Sequence, residues 1–375
     1  MMLIPGPVEV PDSVLRSSAY VVNHRSKEFR EIVEKSESLL NKFGDCTRSV
    51  MTTGSGTTAV ESMVYSFTEP EENVLAVTFG EFGNRMIESI ERRGCRVNII
   101  RKNQDSFLED GEIESFVSSH KDITSLFLVQ NETGNGTSIR NLEEICKEGK
   151  KLGLKVLVDS VSGFGGIPIK INKWEIDAAA TCSQKGLASV PGLGIVLIGK
   201  EFSDHTPARK AIPQYLDLNV SLNFLRKHET PYTPSTGSFN ALNTALKILN
   251  AETIEKRWKR HFANAEFLRQ NLFGTGAEIL GKDFNYSDTV IAFRPPVPVG
   301  DLLSRLKLSG YEIARGMGDL SDKIVRVGNL GMVDGKKIVG FLNAYYSAVG
   351  LEKKMEISDA PEDTNLNVNE KTALL

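Results

Sequence analysis

Lys155–Ser160 reads K-V-L-V-D-S and Cys182–Gly186 reads C-S-Q-K-G. The first is an apolar run that ends in an acid. The second follows a further apolar run, D-A-A-A-T-C at 177–182, and carries a lysine just past its end. Working outward, similar runs recur at 48–53 (R-S-V-M-T-T), 73–79 (N-V-L-A-V-T-F), 95–100 (C-R-V-N-I-I), 125–130 (S-L-F-L-V-Q) and 194–199 (G-I-V-L-I-G). Between them, apolar residues recur at helical spacing: Ala59, Val60, Met63, Val64 and Phe67, then Met86, Ile87 and Ile90, then Leu142, Ile145 and Cys146. Short strands alternating with amphipathic helices are the pattern of βαβ units, so the expected fold is α/β with seven strands in a mainly parallel sheet.

After Lys200 the pattern changes. Pro207, Pro213, Pro231 and Pro234 break up an irregular connector, and two long helical patterns follow, S-F-N-A-L-N-T-A-L-K-I-L-N and E-T-I-E-K-R-W-K-R-H-F-A-N-A-E-F-L-R-Q-N-L-F. From Ala277 a new α+β pattern begins, with strands expected at A-E-I-L-G, T-V-I-A-F, Y-E-I-A-R and K-I-V-R-V-G. The expected division is a large domain over 16–250 and a smaller one over 251–352. Residues 353–375 are polar, contain Pro361 and show no apolar period, which predicts a disordered tail.

With 375 residues, 45 Lys plus Arg against 48 Asp plus Glu and a net charge of -3, the chain has no basic excess to draw it to nucleic acid or an anionic membrane. The four cysteines, Cys46, Cys95, Cys146 and Cys182, are widely spaced and form neither a zinc pattern nor a disulfide framework. No metal is expected. Met1–Val10 carries no basic leader and no apolar run reaches membrane length, so a cytoplasmic protein acting on a small ligand is expected.

Three motifs carry chemistry. Thr52–Ala59 reads T-T-G-S-G-T-T-A, a glycine turn between a strand and a helix whose first amides can hold a phosphate. It lacks the Gly-Lys-Ser/Thr of a nucleotide loop and reads equally well as a plain connection. Asp159 ends a buried strand, where ligands of open parallel sheets collect, though an aspartate there also commonly caps a turn. Lys185 sits just past a strand end between small residues, where a desolvated amine can lose its proton and form an imine with an aldehyde. A phosphate cradle, an acid for a pyridinium and an imine-forming lysine are jointly the needs of pyridoxal phosphate.

On these residues the chain resembles the class V aminotransferases of the fold type I pyridoxal phosphate enzymes, and within them the alanine/serine aminotransferases that act on glyoxylate or pyruvate. The likeness spans roughly residues 3 to 350. It includes Pro5-Gly6-Pro7, His24-Arg25-Ser26, Thr53-Gly54-Ser55-Gly56-Thr57, Gly80–Arg85 (G-E-F-G-N-R), Gln130–Gly136 (Q-N-E-T-G-N-G), Val158–Gly163 (V-D-S-V-S-G), Ser183-Gln184-Lys185, Thr230–Pro234 (T-P-Y-T-P) and Val325–Gly328 (V-R-V-G). The resemblance implies that pyridoxal 5′-phosphate is the cofactor. It implies that Ser55, Gly56, Thr57 and Gln184 bind its phosphate and that Phe82 and Val161 cover the two faces of its ring. Thr133 is implied to bond it near the ring oxygen or phosphate, and Asp159 to face the pyridine nitrogen. Lys185 and Asp159 are then catalytic, Arg326 grips the substrate carboxylate, and Gly6 lies at the substrate.

The resemblance further implies a homodimer with active sites at the subunit interface, in which Thr233 reaches the neighbouring subunit's phosphate. It implies that segment 1–15 packs near the active site and the small domain. Gln130 stands where the family carries His, and Gly134-Asn135 where it carries Ser-Thr. The cysteine desulfurases, also class V, carry a His before the lysine and a His on the ring, against Gln184 and Phe82 here. The implied activity is amino transfer from a small amino acid to a 2-oxo acid. An aspartate or phosphoserine aminotransferase, a desulfurase-like lyase and a cofactor-binding protein without catalysis are the alternatives.

Overall fold

A computed structural model describes residues 1–208, 210–366 and 368. The first four strands are β1 (Arg48–Gly54), β2 (Asn73–Thr78), β3 (Arg96–Arg101) and β4 (Ile123–Val129). A small hairpin follows, β5 (Asn131–Glu132) with β6 (Thr137–Ser138), and then β7 (Lys155–Asp159), β8 (Ala178–Cys182) and β9 (Gly192–Ile198). The large sheet has the order β1-β9-β8-β7-β4-β2-β3. Every neighbouring pair is parallel except the two that β9 makes, with β8 and with β1. All seven expected large-domain strands are therefore present.

The central strands read as continuous apolar runs because both faces are covered. Leu126–Val129 and Ala178–Cys182 are buried throughout. β9 is the one strand that runs backwards, so β1, β4, β7 and β8 all end on the same edge of the sheet. That shared edge positions the chemistry.

The smaller sheet has the order β10 (Glu278–Ile279), β11 (Val290–Arg294), β13 (Val325–Gly328), β12 (Ala314–Arg315), antiparallel throughout. Its outer strands are shorter than the patterns A-E-I-L-G and Y-E-I-A-R suggest. Its core joins Phe293, Val325 and Val327 to helix residues Leu302, Leu306, Phe341 and Tyr345. The helices Thr236–Glu252 and Ile254–Leu272 follow the two long helical patterns and break at Thr253, whose hydroxyl accepts from the Lys256 amide. The 18-residue helix Lys27–Gly44, capped by Ser26 through the Phe29 amide, was not singled out by pattern. Among the described residues no helix is long and apolar enough to cross a membrane.

Over 353–366 the expected disordered tail packs against the small domain instead. Met355 is buried beside Tyr346, its amide donates to Asn343 Oδ1 (2.8 Å), and Thr364 is buried against Gly335. Isolated anchors, not an apolar period, hold this segment. Residues 367 and 369–375 of that expectation lie outside the described residues.

Candidate active site

β1 ends at Gly54, and the helix Gly56–Phe67 begins almost at once with Ser55 as its N-cap. The Ser55 amide donates to Thr58 Oγ1 (3.1 Å), and the Gly56 and Thr57 amides belong to the first turn, which has no intrahelical acceptors. The turn after β7 packs against this helix end: a Cβ on Gly56 would stand 2.7 Å from Val161 Cγ1. Glycine is what lets the two approach.

Asp159 is the last residue of β7 and is 6% exposed. Its Oδ1 accepts from the Val161 amide (2.8 Å), while Oδ2 accepts nothing among the described residues. Burial pushes its carboxyl up to about 6, the Val161 N–H and the Lys185 charge opposing and the Glu132 charge adding. A carboxylate held this way gains strongly from a protonated partner.

Lys185 lies in the turn after β8, half-buried, and its Nζ donates to the Pro5 carbonyl (2.6 Å). Gly6, at φ +121°, runs so close that a Cβ there would stand 3.1 Å from Lys185 Cε. Burial lowers the lysine pKa, and among its charged neighbours Arg326 lowers it further while Asp159 opposes. The N-terminal segment arrives from the small domain, where the Leu3 amide donates to Glu312 O (2.8 Å) and the Gly328 amide to Leu3 O (2.7 Å).

Arg326 sits mid-sheet in β13, opposite Ala292 and Ala314, and is 8% exposed. Its Nε donates to Arg315 O (2.7 Å) and its Nη1 to Thr133 O (2.9 Å). Among the described residues it has no carboxylate within ion-pair distance. Burial lowers its pKa and the more distant Glu132 charge opposes. A buried guanidinium without an acid is electrostatically incomplete, which suits an anionic ligand.

The remaining expected residues are distributed unevenly. Phe82 lies in the first turn of the helix Glu81–Arg92, partly buried, with the Arg85 guanidinium 5.1 Å from its ring centroid. The Thr133 hydroxyl donates to Ser162 Oγ (2.6 Å), so in this structure it is engaged one residue past Val161. Gln184 is half-buried, its carbonyl accepting from the Val8 amide (3.2 Å). Thr233 is exposed and lines a surface pocket with Thr52, Thr53, Tyr215 and Tyr232 of its own chain. Its loop is tied down by Arg25, which bonds Glu229 Oε2 (3.0 Å) and Thr230 O (2.9 Å).

Sequence reasoning left several neighbours without a role. Gln130, which stands where the family has His, accepts from the Ser160 hydroxyl and donates to Pro168 O (2.8 Å), bracing the Asp159–Val161 turn from behind. Asn131, Ser162, Ser287 and Thr289 form a buried hydroxyl and amide cluster joining that turn to the start of β11. The Glu132 carboxylate accepts three backbone N–H groups. The only sequence signal for it was a charged residue between a strand end and a glycine.

Residues 13–294 match the family model described as Aminotransferase class-V. The chain is 31% identical over 354 residues to an uncharacterized aminotransferase of Methanocaldococcus jannaschii, covering 91% of this chain and 90% of that one. It is 30% identical over 348 residues to the alanine–glyoxylate aminotransferase of Oryctolagus cuniculus, covering 88% and 87%. Among solved structures it is similar to the alanine–glyoxylate aminotransferase of Nostoc sp., with a TM-score of 0.87 and 27% identity over 93% of this chain and 94% of that one.

Proposed function

The chain belongs to the class V aminotransferase family of pyridoxal phosphate enzymes, and from that premise we propose that it moves the amino group of alanine or serine to a 2-oxo acid such as glyoxylate or pyruvate. The relatives named for alanine and glyoxylate support this choice of substrates. We assign the work to a cytoplasmic homodimer whose sites lie at the subunit interface, with Thr233 completing the site of the neighbouring subunit.

The residues present suit the cofactor. Among the described residues the Asp159 carboxylate has one oxygen without a partner, the amides of Gly56 and Thr57 open a helix, and the Lys185 amine follows the neighbouring strand end. When bound, pyridoxal phosphate supplies an aldehyde carbon for attachment and a pyridinium that accepts electrons from the substrate carbon. Ser55, Gly56, Thr57 and Gln184 hold its phosphate. Phe82, Val161 and Thr133 would hold its ring, and the free Asp159 Oδ2 would accept from a proton-bearing ring nitrogen. The Lys185 amine, kept toward its neutral form by burial, would be the group that holds the cofactor's aldehyde carbon. Its Nζ would take the substrate α-proton and return it, as general base and then general acid. Arg326 fixes the α-carboxylate of donor and acceptor alike, with Gly6 leaving room beside it.

The observation that carries this reading is Arg326, buried, without an acid partner among the described residues and in electrostatic reach of Lys185. A panel of amino donors, including alanine, serine, aspartate and cysteine, tested against glyoxylate, pyruvate and 2-oxoglutarate decides it. Alanine or serine with glyoxylate or pyruvate should give the highest kcat/KM. Dominant turnover of a dicarboxylic donor, or dominant sulfide release from cysteine, would overturn it.

A further inference from the structure

Glu132 is 1% exposed and no cation pairs with it among the described residues, yet its environment is built for an anion. Oε2 accepts from the Phe82 amide (3.0 Å) and the Gly83 amide (3.1 Å). Oε1 accepts from the Gly134 amide (2.9 Å) and, at 3.2 Å, shares the Phe82 N–H. Phe82 and Gly83 open the helix Glu81–Arg92, so the carboxylate lies on the positive end of that helix. Asn135 strengthens the same junction through its bond to Phe79 O (2.8 Å).

The next residue reaches the other parts of the site. The Thr133 carbonyl accepts from Arg326 Nη1 (2.9 Å), and the Thr133 hydroxyl bonds Ser162, next to Val161. A two-residue stretch thus touches the element bearing Phe82, the guanidinium of Arg326 and the turn bearing Val161. We propose that Glu132 is a positioning residue that couples the ring-covering Phe82 to the carboxylate grip of Arg326, so that cofactor seating and substrate-carboxylate binding rise and fall together. This deepens the aminotransferase reading and rests on it.

Glutamine at 132 has nearly the same shape but offers one acceptor oxygen, and its NH2 would face backbone N–H donors on the other side. The helix start and the 132–134 loop then cannot both be held. Burial raises the Glu132 pKa while the three N–H groups oppose, and its charge is the one that offsets burial at Arg326. Removing the charge therefore acts on the grip as well as on Phe82. A second variant shifts the carboxylate without neutralising it: a Cβ on Gly134 would stand 2.9 Å from Glu132 Oε1, the movable end of that side chain.

The experiment compares the parent holoenzyme with Glu132→Gln and Gly134→Ala. It reads KM and kcat for amino donor and oxo acid separately, and the visible circular dichroism of the bound cofactor. Glu132→Gln should raise both KM values together by at least about tenfold, since a hydrogen bond to a charged group contributes roughly 1.5 to 3 kcal/mol, and should change the cofactor dichroism. Gly134→Ala should move both readouts in the same direction by less. A melting temperature lowered with both KM values and the dichroism unchanged would mean a structural role only and would overturn the proposal. So would a KM change in one substrate alone. If Glu132→Gln does not fold, Gly134→Ala with parental KM values and dichroism overturns it. A parent enzyme without transaminase activity would instead sink the functional reading, a distinct outcome.

Discussion

Replacing Arg326 by lysine keeps the charge and removes the fork. A guanidinium has five N–H groups. In Arg326 one on Nε and one on Nη1 are committed to the Arg315 and Thr133 carbonyls, at 2.7 and 2.9 Å. The other three suffice for a two-pronged bond to a carboxylate with the side chain already immobilised. A lysine ammonium has three donors on one atom and cannot hold both carbonyls and also present a parallel pair. Loss of one charge-assisted hydrogen bond, roughly 1.5 to 3 kcal/mol, corresponds to a fall in kcat/KM of about 10- to 150-fold. Because donor and acceptor present the same α-carboxylate, Arg326→Lys should weaken both half-reactions alike. Initial rates over a grid of both substrates test this: the parent should give parallel double-reciprocal lines, and the variant should show raised KM for each substrate. A change smaller than about threefold, or a defect confined to one half-reaction, would refute the assignment.

Lys185→Ala should purify without covalently attachable cofactor and without transaminase activity, whereas borohydride reduction and peptide mapping of the parent should find the cofactor on Lys185; label on another lysine would refute this. Asp159→Asn should keep the fold and lose most turnover. In the cofactor-free protein it should also change the pH profile of stability. A carboxyl raised from 3.8 to about 6 favours folding below its unfolded pKa and loses that benefit as pH rises through about 6, so the melting temperature of Asp159→Asn should rise relative to the parent's as pH climbs from 4 to 7; a constant difference would contradict it. Mixing Thr233→Ala with Lys185→Ala subunits should yield heterodimers with one unimpaired site, and a defect in both sites, one from each substitution, would place Thr233 in its own subunit's site.

The seven strands were legible because a parallel sheet covered on both faces turns each central strand into a continuous apolar run, as in Leu126–Val129. The placement of Asp159 at one strand end and of Lys185 just past another was legible for a related reason: a charge after such a run interrupts it visibly. What could not be read was how the loops meet. The Thr133 hydroxyl is engaged by Ser162, 29 residues on, and its carbonyl by Arg326, 193 residues on. No local period encodes such pairs. Glu132 was hidden because its partners are backbone amides, which every residue except proline carries. Residues 353–366 were misread because single anchors such as Met355 and Thr364 fix them, and one buried side chain leaves no periodic trace.

The cysteines bear on the rival chemistry of this fold, sulfur removal, which needs a thiolate free to meet the substrate. All four are buried. Burial pushes Cys46 and Cys182 up to about 12 and Cys146 well above the ordinary thiol range, so the thiolate fraction at neutral pH is negligible. Cys182 comes nearest to the site in sequence, but it closes β8, fully buried and paired across the sheet with Gly194. Reaching the substrate would require breaking the central sheet. Amino transfer asks for no such group: it needs an amine that can cycle a proton, an acid opposite the pyridine nitrogen and a clamp shared by two carboxylates. In the proposed reading Lys185, Asp159 and Arg326 supply these while the sheet stays intact, and Gln130, Glu132 and Ser162 brace the loops between them.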